Sequence, residues 1–140
     1  MKLKVKKMNP DAKLPIYGHK GDAGMDLFSS LECVLQKSEI FAVPTGICVE
    51  IPRGYVGLIW DKSGVSLRGA HRLAGVVDAG YRGEIKVVMV NLGQDTFAVE
   101  KGMKIAQLLI QEVEEVEIVE VEDLEDSSRG EGGFGSTGNF

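Results

Sequence analysis

The chemistry-bearing residues of this chain are densest at its end. The last eleven residues, GEGGFGSTGNF (130–140), contain five Gly and no aliphatic side chain, and Arg129 stands immediately before them. Amides left uncovered by Gly, a fixed cation and the hydroxyls of Ser136 and Thr137 suit an oxyanion, while the isolated ring of Phe134 suits a flat partner. A segment of this composition has too little apolar surface to order itself. It is expected to order on a ligand. Upstream, Asp78 in GVVDAGYRGE sits where a hairpin tip is expected, and an Asp at that place opens a β-turn. Lys62–Ser63–Gly64 is a further turn with a cation and a hydroxyl. Asp22 and Asp26 are the nearest approach to a metal motif. His19 and His71 stand alone and read as surface or packing residues. Cys33 and Cys48 cannot form a four-ligand zinc site or a disulfide scaffold, and read as small apolar strand residues.

The elements that must position these residues are strands. Lys2–Met8, Glu39–Val43, Gly46–Ile51, Tyr55–Trp60 and Glu84–Asn91 alternate in hydrophobicity. Turn signals separate them at short intervals, among them PTG (44–46), PRG (52–54), KSG (62–64), DAG (78–80) and EKG (100–102). This pattern predicts an all-β sandwich, jelly roll or barrel rather than alternating β–α units. Trp60 is expected in the core. LRGAHRLAG (67–75) has room for one helical turn, and Val116, Ile118 and Val121 amid Glu predict one more strand.

With 140 residues the chain has room for one domain. Gly is over-represented at 18 residues, which means sharp turns or close backbone approaches. The net charge of −5 is unevenly spread: residues 111–126 carry nine of the 21 acids and no Lys or Arg, which leaves 16 basic against 12 acidic residues elsewhere, or +4. The acidic balance argues against a general nucleic-acid binder but not against a local site for a small polyanion. No apolar run approaches the ~18–20 residues that span a bilayer, and the N-terminus has no apolar signal region. A soluble cytoplasmic protein with no membrane partner is expected.

Five clusters occur in order: AGMDLFSS (23–30), DKSGVS (61–66), AGVVDAGYRGE (74–84), KGMKIAQLLI (101–110) and RGEGGFGSTG (129–138). Each alone is a common turn or strand start. Together they resemble the five ordered motifs of the homotrimeric dUTPase family, from about residue 15 to the end, with the third and fifth the most specific. The resemblance implies a distorted jelly-roll, or β-clip, subunit in a threefold trimer. It implies a domain over residues 1–126 and an arm over 127–140 that closes on the site. The implied activity is dUTP diphosphatase, hydrolysing dUTP to dUMP and pyrophosphate with Mg²⁺.

The same resemblance assigns roles. Asp78 corresponds to the general base that activates water against the α-phosphorus. Tyr81 corresponds to the ring that packs on deoxyribose and excludes a 2′-hydroxyl. The backbone of Gly75, Val76, Val77 and Asp78 reads the uracil edge, with Lys86 on the return strand. Lys62, Ser63, Gly64 and Gln107 flank the phosphates, with Lys62 standing where the family usually has Arg. Arg129, Gly135 and Ser136 close on the γ-phosphate, and Phe134 stacks over uracil, a contact worth about 1–3 kcal/mol. Asp26 is a supporting acid behind the site. Mg²⁺ is expected on substrate phosphates and water, without a direct protein ligand. Two rivals share the fold: a dCTP deaminase and a non-catalytic nucleotide-binding trimer. The deaminases place a catalytic Glu five residues after the second Gly of the hairpin motif; here that position is Val88. A mere scaffold needs neither Asp78, Tyr81 nor the Gly-rich arm.

Overall fold

Alternation builds the core. In Glu84–Asn91 the side chains of Ile85, Val87 and Met89 are buried, whereas Glu84, Lys86 and Val88 on the other face are not. The computed structural model describes residues 1–134 and residue 136. Among these, strands run in the order β1 (Lys4–Lys7), β2 (Ile16–Tyr17), β3 (Met25–Phe28), β4 (Cys33–Leu35), β5 (Ile40–Glu50) and β6 (Tyr55–Trp60). A single helical turn, α1 (Ser63–Ser66), precedes β7 (Ala70–Leu73), β8 (Val76–Val77), β9 (Glu84–Asn91), β10 (Phe97–Val99) and β11 (Lys104–Glu112). They form a four-stranded sheet in the order β1-β5-β9-β7, a five-stranded sheet β2-β3-β11-β6-β8 and a two-stranded ribbon β10-β4. Every pairing is antiparallel. One apolar cluster joins all three, with Leu27, Leu35, Ile47, Ile85, Met89, Ile105 and Leu108 at its centre. This is the all-β jelly-roll class. No helix among the described residues is long and apolar enough to cross a membrane.

Four local expectations need correction. The PTG turn at 44–46 does not break the strand: β5 runs straight through, with a register shift against β9 between Pro44 and Cys48. The bulge is held by side chains, Thr45 Oγ1 donating to the Ile85 carbonyl (2.6 Å) and the Gly46 amide donating to the Glu84 carboxylate (2.9 Å). The helical turn lies at Ser63–Ser66 rather than within 67–75, because Ala70–Leu73 is taken up by pairing with β9. Trp60 is 48% exposed, since Gly57 and Ile59 claim the core face of β6. Finally, no strand forms beyond Glu112 among the described residues. The Val113 amide donates to the Gly54 carbonyl (2.9 Å), after which Val116, Ile118 and Leu124 stand exposed, Ile118 at 93%. An apolar–acidic alternation makes a strand only against a partner edge.

Candidate active site

Two clefts collect most of the residues singled out above; Ser63, Gly64 and the described arm residues line neither, and no described residue lines both. The first, about 240 Å³, opens between β8 and β9 and is lined by Gly75, Val76, Val77, Asp78, Tyr81, Glu84 and Lys86 with the apolar wall of Ile59, Leu73, Ile85 and Val88. Its geometry comes from the hairpin. β8 is anchored to β6 by the pairs Gly57–Val77 and Leu58–Val76, and the Gly75 carbonyl accepts the Ile59 amide at 2.8 Å. The turn closes with the Tyr81 amide donating to the Asp78 carbonyl (3.0 Å), and Arg82 Nη1 donates to the carbonyls of Ala79 (2.7 Å) and Tyr81 (2.9 Å). Asp78 stands exposed at the tip. The Tyr81 hydroxyl donates to the Glu84 carbonyl at 3.0 Å, which lays the ring back over Gly83. Only glycine permits that approach, since a Cβ on Gly83 would lie 2.3 Å from the hydroxyl. The ring is left 46% exposed, presenting a face to the cleft.

The second cleft, about 580 Å³, is polar and lies across β3, β11 and the end of β6. The register places Asp26 opposite Gln107, and Gln107 opposite Trp60. Asp26 is 4% exposed, and its carboxylate is held between two ammonium groups: Lys104 at 2.7 Å and Lys62 in a short contact on the other oxygen. Gln107 Nε2 donates to the Asp61 carbonyl at 2.8 Å. The Asp61 carboxylate accepts the Arg72 backbone amide (2.8 Å) and meets His71 Nδ1 at 2.6 Å. These bonds anchor the strand end from which Lys62, Ser63 and Gly64 turn into α1. The amides of Ser63 and Gly64 have no acceptor within that single turn, and both residues are exposed. The Lys62 ammonium points inward to Asp26, as a single point charge does where a planar guanidinium fork would reach two ways.

Among the described residues, none of the arm lines either cleft. Arg129 Nε donates to the Gly132 carbonyl (2.6 Å), the Ser136 amide donates to the Gly133 carbonyl (3.1 Å), and the Phe134 ring is fully exposed. Gly135 lies outside the described residues. Sequence reasoning overlooked Lys104, Asp61 and Gly83. Lys104 was readable only through strand register, because it reaches Asp26 across the β3–β11 ladder rather than along the chain.

Residues 10–138 match the family model described as dUTPase. The chain is 50% identical to the deoxyuridine 5′-triphosphate nucleotidohydrolase of Clostridium kluyveri, with 99% of each chain covered, and 47% identical to that of Clostridioides difficile, with 97% of each covered. Among solved structures it is similar to a variant of the Staphylococcus bacteriophage 80alpha dUTPase bound to dUpNHpp, with a TM-score of 0.92, 34% identity and 98% of each chain covered. It is also similar to a variant dUTPase of Staphylococcus aureus phage phi11 described with a structural Mg(II) ion, with a TM-score of 0.84 and 30% identity over 90% of this chain and all of that one.

Burial pushes the Asp26 carboxyl up, but the hydrogen bonds and charges of Lys104 and Lys62 outweigh it and hold the group below the usual carboxylate range. Asp26 thus stabilises the fold fully above its unfolded value, about 3.9, and the contribution is lost as pH falls through the lower folded value. The Asp26→Asn variant should be less stable at pH 7 by about 2 kcal/mol, a gap that closes in acid. Asp11 and Glu50 are also lowered, by hydrogen bonds from Lys101 and Lys4, but those pairs are exposed and salt screens them. Urea titrations from pH 7 to pH 2.5 in high salt measure the Asp26 contribution; a gap that stays constant with pH would contradict it.

Proposed function

The chain belongs to the dUTPase family and is an enzyme that hydrolyses dUTP; from that premise we propose that it produces dUMP and pyrophosphate with Mg²⁺, Asp78 serving as general base, in a homotrimer with shared sites. The observation that carries the reading is the convergence of Asp78, the Tyr81 ring and the Gly75–Asp78 backbone on one cleft. A backbone edge offers amides and carbonyls at fixed spacing, which suits the acceptor–donor–acceptor edge of uracil. The Tyr81 ring, pinned by its hydroxyl and laid over Gly83, packs on the deoxyribose in this reading and leaves no room for a 2′-hydroxyl; its fixed position supports that role. Lys86 borders the same cleft.

In the reaction, Asp78 orients a water and takes its proton as the water oxygen bonds to the α-phosphorus. The bond from that phosphorus to the bridging oxygen breaks, and pyrophosphate leaves with the electron pair. Ser63, Gly64, Gln107 and Lys62 receive the phosphate chain, with Asp26 steadying Lys62 and Lys104 behind them. Among the described residues no three His, Cys, Asp or Glu side chains converge, and both Asp26 oxygens already meet ammonium groups. With Asp26 so committed, a Mg²⁺ ion would be held by the phosphates and water rather than by that carboxylate. Bound there, it neutralises charge on the phosphate oxygens. The separation of the two clefts, with no described arm residue lining either, supports a site assembled from several subunits. The hairpin then comes from one chain, the phosphate turn from a second, and Arg129, Phe134, Gly135 and Ser136 from a third. Residues 1–126 form the domain and 127–140 the arm, and the enzyme works in the cytoplasm without nucleic-acid or membrane partners.

A panel of dUTP, UTP, dTTP and dCTP with Mg²⁺, assayed for pyrophosphate and ammonia, tests the activity. Pyrophosphate is expected from dUTP and ammonia from none; ammonia from dCTP would make the chain a deaminase despite Val88. Comparable kcat/KM for UTP and dUTP would remove the sugar-packing role from Tyr81. The Asp78→Asn variant should keep dUTP binding, read by calorimetry, and lose about 10²–10⁴-fold in turnover. Near wild-type turnover would take Asp78 out of the mechanism. A chain truncated after residue 126 should stay folded and assembled but nearly inactive. Co-refolded with Asp78→Asn chains, it should recover activity, because some mixed sites combine an intact Asp78 with a neighbour's arm. Mixed trimers that stay dead, with mixing verified by mass, would mean that the arm serves its own chain or none.

A further inference from the structure

The kink that leads into the hairpin is made by two residues of positive φ, Ala74 at 59° and Gly75 at 134°. Gly75 is there of necessity, because a Cβ at that position would lie 2.7 Å from the Ile59 carbonyl oxygen. Ala74 is different. A side chain with a Cβ disfavours the left-handed region, so the surrounding structure must hold it there.

Arg72 supplies the hold. Its Nη1 donates to the Ala74 carbonyl at 2.6 Å, and its guanidinium lies over the Trp60 ring, 4.8 Å from the centroid. The Arg72 backbone amide is in turn fixed to Asp61 at 2.8 Å. The guanidinium keeps this position although its Nε is buried without an acceptor, which an arginine free to choose its place would avoid. Beyond the kink the chain is committed at once, with the Gly75 carbonyl on the Ile59 amide and Val76–Val77 paired to β6. The angle at Ala74 therefore decides where the Gly75–Asp78 backbone lies along the first cleft, which Ala74 itself also lines.

We propose that Arg72 is a positioning residue for base recognition, holding Ala74 in the left-handed conformation so that the Gly75–Asp78 backbone stands where it reads the nucleotide. This deepens the reading of that cleft as the dUTP site and rests on it. Because Asp61 adjoins Lys62–Gly64, the same strap ties the hairpin to the phosphate turn of its own chain.

A rescue experiment on the full-length assembled protein separates this role from plain destabilisation. The Arg72→Ala variant should raise the KM for dUTP about tenfold, the size of one lost charge-assisted hydrogen bond, with kcat changed far less. It should also speed hydrogen exchange at the Ile59 amide, which reports the Gly75 bond without any substrate. Adding Ala74→Gly should bring both readouts back toward wild type, since glycine takes positive φ unaided. An Arg72→Ala variant with unchanged Ile59 exchange, or a double variant no better than the single one, would overturn the proposal. A wild-type protein that does not hydrolyse dUTP would instead sink the functional reading, and the exchange and rescue at Ile59 would then decide the strap alone.

Discussion

A carboxylate as buried as Asp26 needs partners, and finding them fixes three strands at once. Its two ammonium groups come from different elements, Lys62 after the end of β6 and Lys104 at the start of β11, while Asp26 itself is on β3. A one-residue slip of any of these strands would turn Asp26 toward the core or a lysine away from it. Such a cluster adds little net stability over an apolar alternative; its strength is that it tolerates one register and penalises the rest. The cross-strand row Asp26–Gln107–Trp60 follows from that register, and with it the approach of Gln107 to the Asp61 carbonyl.

From that row the two clefts divide the work by polarity. The hairpin cleft has an apolar back wall and a backbone rim, which suits a neutral ring whose identity lies along one edge. The other cleft holds fixed charge, and its lysines are already neutralised in part by Asp26. Lys62 is held inward, so a triphosphate in the proposed reaction draws more of its charge balance from outside the subunit body, from Arg129 and from its own metal ion. With Lys62 in place of the family's usual Arg, the ammonium meets Asp26 with one proton and keeps others for a phosphate, as a single point charge can.

How much of this was legible depended on distance along the chain. The class of the fold was legible because alternation is local: Ile85, Val87 and Met89 declare a buried face by spacing alone. The order of the five motifs was legible too: residues of the first four, among them Asp26, Lys62, Asp78, Tyr81 and Gln107, line the two clefts, whereas Ser63, Gly64 and the described residues of the fifth line neither. What failed was whatever another strand decides. Trp60 reads as core until Ile59 and Gly57 are seen to occupy that side; PTG reads as a turn until Thr45 and Glu84 are seen to hold a bulge. Lys104 and Asp61 act across ladders, so nothing in their neighbours announces them. Val116, Ile118 and Val121 are β-branched residues amid Glu, as in a strand with one solvated face, but an edge to pair with is not a property of the segment itself.

The arm shows why such a segment is kept apart from its own core. Fixing a residue's backbone costs about 1–2 kcal/mol, and glycine loses the most freedom of all. Gly130, Gly132 and Gly133 bring no side chain to offset that cost, and the Phe134 ring, exposed as it stands, offsets only part of it. Closure over the proposed site then needs charge: Arg129 and the bare amides gain enough only against several phosphate oxygens at once. A triphosphate offers more such oxygens, and more charge, than the monophosphate product. In the proposed reaction the arm would therefore stay closed while the phosphate chain is intact and release once pyrophosphate departs, so that the composition of the segment, more than its contacts, sets the order of closure and opening.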